Sequence, residues 1–108
     1  MKVSISARNC RVAQYVQRMA ERQVGRLSKF HVRARSADVI FSEEKRTREV
    51  EVVMRIEGGP SVVARGEAHD FRTALDQVVG HLSRKLRRLR DRDRDHQAQK
   101  PSALPDAG

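Results

Sequence analysis

Acidic residues are scarce here: 14 Asp and Glu stand against 23 Lys and Arg, a formal charge of +9 on 108 residues. Such an excess favours an anionic partner, either nucleic acid or an acidic membrane surface. Cysteine is nearly absent. Cys10 alone cannot form an internal disulfide, and a reducing, cytoplasmic setting is expected. Tryptophan is missing, and three Phe and one Tyr are the only aromatics. No run approaches the roughly 20 apolar residues of a membrane-spanning helix. Met1-Lys2-Val3-Ser4-Ile5-Ser6 alternates rather than holding the continuous apolar core of a signal peptide. The length suits one small domain with a modest core.

What is present is a clear change of period along the chain. Val3, Ile5 and Ala7 alternate with polar neighbours, the pattern of a half-buried strand. Val12, Tyr15, Val16, Met19, Ala20, Val24 and Leu27 then recur at helical spacing and predict a helix from about Ala13 to Lys29, with Gln23 interrupting its apolar face. Three further strands follow. Their inward residues are Ala37, Val39 and Phe41, then Val50, Val52, Met54 and Ile56, then Val62, Ala64, Gly66 and Ala68. Gly58-Gly59-Pro60 separates the last two as a turn. The small residues of the fourth strand would let a helix backbone approach closely.

Asp70 is placed to cap a second helix, whose stripe runs through Phe71, Ala74, Leu75, Val78, Val79, Leu82, Leu86 and Leu89. Beyond Asp91 the apolar period ends, and residues 93–108 read as a disordered tail behind a domain of residues 1–92. The fold class is α+β, a two-layer β-α-β-β-β-α arrangement. A four-stranded mixed sheet with both helices on one face satisfies the pattern.

Charge is segregated by element. Residues 11–35 carry seven Lys/Arg against Glu21 alone, whereas residues 36–70 carry five against eight Asp/Glu. At about 100° per residue, Arg18, Arg22, Arg26 and Lys29 share one sector of the first helix. His81, Arg84, Arg88 and Arg92 form a comparable row on the second, with Lys85 at its margin. Rows of like charge without interleaved Glu forgo the usual i,i+4 pairing, and they suit a phosphate-bearing surface. The sheet's outward positions (Ser4, Ser6, Asp38, Ser42, Glu49, Glu51, Glu67) offer no aromatic platform, against an RNA-recognition-motif mode. The start of the last helix, Asp70-Phe71-Arg72-Thr73, lacks the lysine cluster of a double-stranded-RNA-binding domain.

The order of these features resembles the ribosome hibernation promoting factors, also called ribosome-associated inhibitors or sigma-54 modulation proteins. The resemblance spans roughly residues 2–92. It rests on Val3-Ser4-Ile5-Ser6-Ala7-Arg8-Asn9, Arg26-Leu27, Glu44-Lys45, and above all Ala64-Arg65-Gly66-Glu67-Ala68-His69-Asp70-Phe71-Arg72-Thr73-Ala74-Leu75-Asp76. It implies a translation inhibitor that binds the small ribosomal subunit and its ribosomal RNA. There it would occupy the messenger RNA and A/P-site transfer RNA positions and preserve idle ribosomes in stress or stationary phase. The family's RNA-contacting positions fall on Arg26, Arg84, Arg88, Arg90 and Arg92. Gln17 and Gln23 stand where relatives can be basic, with Arg18 and Arg22 beside them. Long members carry a second domain that pairs ribosomes; this sequence ends at Gly108 without one, so a monomer is expected, and short members either work with a separate dimerising factor or leave ribosomes single, between which the sequence does not choose. The alternative is a protein–protein regulator of transcription that modulates a sigma factor.

Residues of catalytic type do not assemble into a reaction. His31, His69, His81 and His96 lack metal-ligand spacing. Glu43, Glu44 and Asp76 lie on different elements, Gly58-Gly59 is too short to cradle phosphate, and Cys10 has no nearby His or helix N-terminus of its own to activate it. No enzyme, cofactor or metal is expected.

Overall fold

Each strand has one apolar edge of its alternation, and the sheet's register brings those edges to the same side. In the computed structural model the elements are β1 (Lys2–Arg8), α1 (Gln14–Arg26), a short 3₁₀ turn (Leu27–Phe30), β2 (Ala34–Glu44), β3 (Thr47–Ile56), β4 (Val62–Ala68) and α2 (Phe71–Ala107). The structure describes the backbone of residues 1–107 and the side chains of residues 1–94. The sheet order is β1-β2-β3-β4, with β1 parallel to β2 and the remaining pairs antiparallel. Ile5, Val39, Val52 and Ala64 form one row across it, and Ala7, Phe41, Val50 and Gly66 the next. Val39, Phe41, Val50, Val52 and Met54 are fully buried on that face, under both helices. The mixed sheet and one-sided helix layer are those the sequence pattern predicts.

α1 buries Val16, Ala20 and Val24, and Leu27 follows at the head of the 3₁₀ turn. The α-helix stops at Arg26, short of the expected Lys29. There Ser28 Oγ donates to the Gly25 carbonyl at 3.0 Å, and the chain tightens into the 3₁₀ turn. α2 begins where predicted. Asp70 accepts from the Thr73 amide at 2.8 Å and from the Thr73 hydroxyl at 3.0 Å. Arg48 fixes the same corner. Its guanidinium donates to the His69 carbonyl at 2.6 Å, pairs with Glu43 at 3.3 Å and lies over the Phe71 ring. Phe71 in turn meets Phe41 edge-on, with centroids 5.3 Å apart.

The tightest contact is between α2 and β4. A Cβ at Gly66 would collide with the Ala74 carbonyl oxygen and come within 3.1 Å of the Val78 nitrogen. Helix backbone therefore lies directly on strand backbone, and Ala74, Leu75, Val78, Leu82 and Leu86 drop into the core. The two helices touch side by side. Because α1 returns from β1 to the parallel β2, and α2 returns from β4, both run in the same direction. Their apolar stripes are used against the sheet. No described helix is long and apolar enough to cross a bilayer. The tail expected over residues 93–108 lies, beyond Arg94, outside the described side chains.

Gly66→Ala should force α2 off the sheet and lower the urea unfolding free energy by about 1–3 kcal/mol, the usual cost of overpacking. An unchanged midpoint would show that the close approach is dispensable. Asp70 supplies a pH signature. Its hydrogen bonds from Thr73 hold the carboxyl below the ordinary carboxylate range, so the native state favours its ionised form. The stabilisation is complete above the unfolded-state pKa and is lost as pH falls through the lowered native value. Asp70→Ala should thus lower the thermal midpoint at neutral pH, and the gap from wild type should close in strong acid.

Candidate nucleic-acid interface

The basic residues of the helix layer differ from those of the sheet in what surrounds them. On the strands and their ends, Arg35 pairs with Glu57, Arg48 with Glu43, Arg55 with Asp38 and Arg65 with Glu51. On the helices and the 3₁₀ turn, Arg18, Arg22, Arg26, Lys29, Arg84, Arg87, Arg88 and Arg92 are exposed, and among the described residues none has an acidic partner within ion-pair distance. The helix layer thus presents a set of exposed cations without acidic partners among the described residues. The opposite sheet face is acidic toward one end. There Glu49 and Glu67 sit opposite each other on β3 and β4, and burial, then the hydrogen bond with Glu67, raises the Glu49 carboxyl pKa above its ordinary value.

The basic row predicted on α2 divides by position. Arg84, Arg88 and Arg92 remain on the exposed flank, and the last two line a shallow groove with Pro60, Val62 and Val63. His81 and Lys85 instead face the outer edge of β4. His81 Nδ1 donates to the Arg65 carbonyl at 3.0 Å, and Lys85 Nζ donates to the Val63 carbonyl. Gln77, one turn earlier, accepts from the Glu67 amide at 3.1 Å. Gln77, His81 and Lys85 are spaced i, i+4, i+8, and they stand in for the strand that would otherwise pair with this edge. Arg90 lies on the other flank, half-buried and 3.4 Å from Asp91.

That other flank packs against the 3₁₀ turn. The Phe30 ring carries the Arg87 guanidinium at 4.6 Å and the Lys29 ammonium at 5.1 Å from its centroid. Beside it, His31 is buried; its Nδ1 accepts from the Arg33 amide at 3.2 Å, so Nε2 carries the proton toward Asp93 Oδ2 at 3.3 Å. The connection after α1 is thereby tied to the far part of α2. Both helices gain positive charge toward this shared end.

Other groups are quiet. Gln17 donates to the Val12 carbonyl at 3.0 Å and is half-buried, as is Gln23. The Cys10 thiol lies 3.6 Å from the Phe41 carbonyl, and burial raises its pKa, away from the thiolate a nucleophile needs. Among the described residues no group of His, Cys, Asp and Glu converges as a metal site.

The fold and sequence have relatives. The family described as Sigma 54 modulation protein / S30EA ribosomal protein matches residues 3–94. The chain belongs to this family. A ribosome hibernation promoting factor of Azotobacter vinelandii is 28% identical over 106 residues, covering 97% of this chain and 98% of that one. One from Salmonella typhimurium is 23% identical over 96 residues, or 89% of this chain and 100% of the other. Among solved structures, a ribosomal subunit interface protein from Coxiella burnetii matches with a TM-score of 0.77 at 15% identity, over 84% of this chain and 99% of that one. The N-terminal domain of Thermus thermophilus Protein Y matches with 0.72 at 22% identity, over 82% and 99%. Both solved structures share the fold.

In this family member, residues beyond those predicted join the basic surface. Arg87 with Phe30, and Arg33 with Arg94, come together at the 3₁₀ turn. A second row at Arg87, Arg90 and Arg94 is visible in the sequence spacing; its contact with Phe30 depends on packing between distant elements.

The edge ladder makes a local prediction. Gln77→Ala should raise amide hydrogen exchange at Glu67 while leaving the buried strands β2 and β3 protected. Unaltered exchange at Glu67 would mean that the ladder does not guard the edge.

Proposed function

We propose that this chain is a ribosome-associated factor that binds the small ribosomal subunit through its helix layer and contacts ribosomal RNA there. In that position it occupies the space of messenger RNA and A/P-site transfer RNA and keeps idle ribosomes inactive in stress or stationary phase, acting in the cytoplasm. Where ribosomes are paired, a separate dimerising factor is its partner. One observation carries this reading: Arg35, Arg48, Arg55 and Arg65 on the strands are matched with acids, whereas Arg18, Arg22, Arg26, Lys29, Arg84, Arg87, Arg88 and Arg92 of the helix layer are exposed and have no acidic partner among the described residues. Uncompensated cations held apart on a rigid layer repel one another, and that cost is offset when phosphates lie between them. Arg18, Arg22, Arg26, Lys29, Arg84, Arg88, Arg90 and Arg92 are the contacts in this reading, with His81 and Lys85 at the margin against β4. Family membership and the names of the relatives support the same partner.

Ribosome co-sedimentation tests it. Arg84→Glu with Arg88→Glu should weaken binding to small subunits strongly, while Glu49→Lys with Glu51→Lys should leave it near wild type. Loss of two phosphate contacts should also flatten the dependence of log K on log salt by about 1.4–1.8, at roughly 0.7–0.9 per contact. Binding indifferent to salt, or recovery of a sigma factor instead of ribosomal subunits, would overturn the reading.

A further inference from the structure

The apolar stripe that seats α2 on the sheet ends at Leu89, and no apolar residue follows it until Ala98. Arg90, Arg92 and Arg94 therefore lie on a stretch that no apolar side chain anchors, and a helix without tertiary packing is marginal in water. Among the described hydrogen bonds and ion pairs, one alone joins this stretch to another element: His31 Nε2 donates to Asp93 Oδ2 at 3.3 Å. That donor is fixed in direction. His31 is 5% exposed, and its Nδ1 is engaged by the Arg33 amide at 3.2 Å, which leaves the proton on Nε2 and aims it at the carboxylate.

Asp93 is out of keeping with its neighbours. It shares a recess with Lys29, Arg33, Arg90 and Arg94, yet among the described ion pairs it takes none of these four and pairs with the buried imidazole. A carboxylate on a phosphate-facing surface repels the partner, so charge gives no reason for an acid at this position. Position does. We infer that Asp93 is a positioning residue for RNA binding: through the hydrogen bond from His31 it fixes α2 beyond Leu89 against the 3₁₀ turn, so that Arg90, Arg92 and Arg94 meet the partner from a rigid helix. Side chains carried on an ordered backbone lose less freedom when phosphates arrive, because that ordering has already taken place in folding. The inference rests on the RNA-binding reading above, and it assigns to that surface an acid whose loss weakens an anion contact.

Two substitutions that remove the same charge separate position from charge. Asp93→Asn retains an oxygen that can accept from His31, whereas Asp93→Ala does not. Amide hydrogen exchange over residues 90–94 and co-sedimentation with purified small ribosomal subunits are measured on the full chain, for wild type and both variants. Asp93→Ala should exchange about fivefold faster there, the effect of one net hydrogen bond, and should bind subunits several-fold more weakly. Asp93→Asn should keep slow exchange and bind at least as tightly as wild type. His31→Phe keeps a buried ring without the donor, and in that background Asp93→Ala should add nothing to the exchange rate. Tighter binding by both Asp93 variants would mean that the acid acts through charge alone, and equal weakening by both would mean that it touches the partner itself. Either result overturns the positioning role, as does unaltered exchange in Asp93→Ala. Failure of wild type to bind subunits would overturn the ribosomal reading instead, and the exchange comparison would still decide whether His31 holds α2.

Discussion

The position of α2 depends on one contact, the seating of its backbone on Gly66. Nothing larger fits between the Ala74 carbonyl and β4. That approach sinks Leu75, Val78, Leu82 and Leu86 into the core and brings the helix's flank level with the outer edge of β4. Only then can Gln77, His81 and Lys85 reach the edge's amide and carbonyls. The same seating turns Arg84 and Arg88 outward and brings Arg87 against Phe30. Asp70 and Arg48 determine where the helix begins, and Gly66 determines how deep it lies.

Electrostatic division follows from the layer structure. The sheet's polar face lets opposite charges sit across from one another, as Arg55 and Asp38 do at 2.8 Å and Arg65 and Glu51 at 2.7 Å. Exposed pairs of this kind add little stability, but they neutralise the arginines that make them. The helices carry few acids on their outer sides, so their charge remains available to a partner. A difference in pairing between the two layers gives the molecule a directional field.

Much of this was legible in the sequence. Strand alternation identified the inward residues because each strand has one buried face, and the Asp70 cap and small residues of β4 gave the start and closeness of α2. The end of α1 was less legible, since the Ser28 hydroxyl bond to the Gly25 carbonyl lies inside a pattern that otherwise still reads as helix. Angular position also placed His81, Lys85, Arg88 and Arg92 together on α2. It could not show that a strand edge lies beside part of that sector, which engages His81 and Lys85 while leaving Arg88 and Arg92 exposed. The meeting of Phe30 with Arg87 and of His31 with Asp93 joins residues far apart in the chain, and no local pattern encodes it.

The orientation of the protein on its partner is the central claim, and cross-linking measures it directly. Ultraviolet irradiation of the complex with small ribosomal subunits, followed by mass spectrometry of RNA-linked peptides, reports which side of the protein faces RNA. Links concentrated in α1, the 3₁₀ turn and α2 up to Arg94, with the acidic sheet positions around Glu49 and Glu67 unlinked, are the predicted result. Links concentrated on the open sheet face would contradict it.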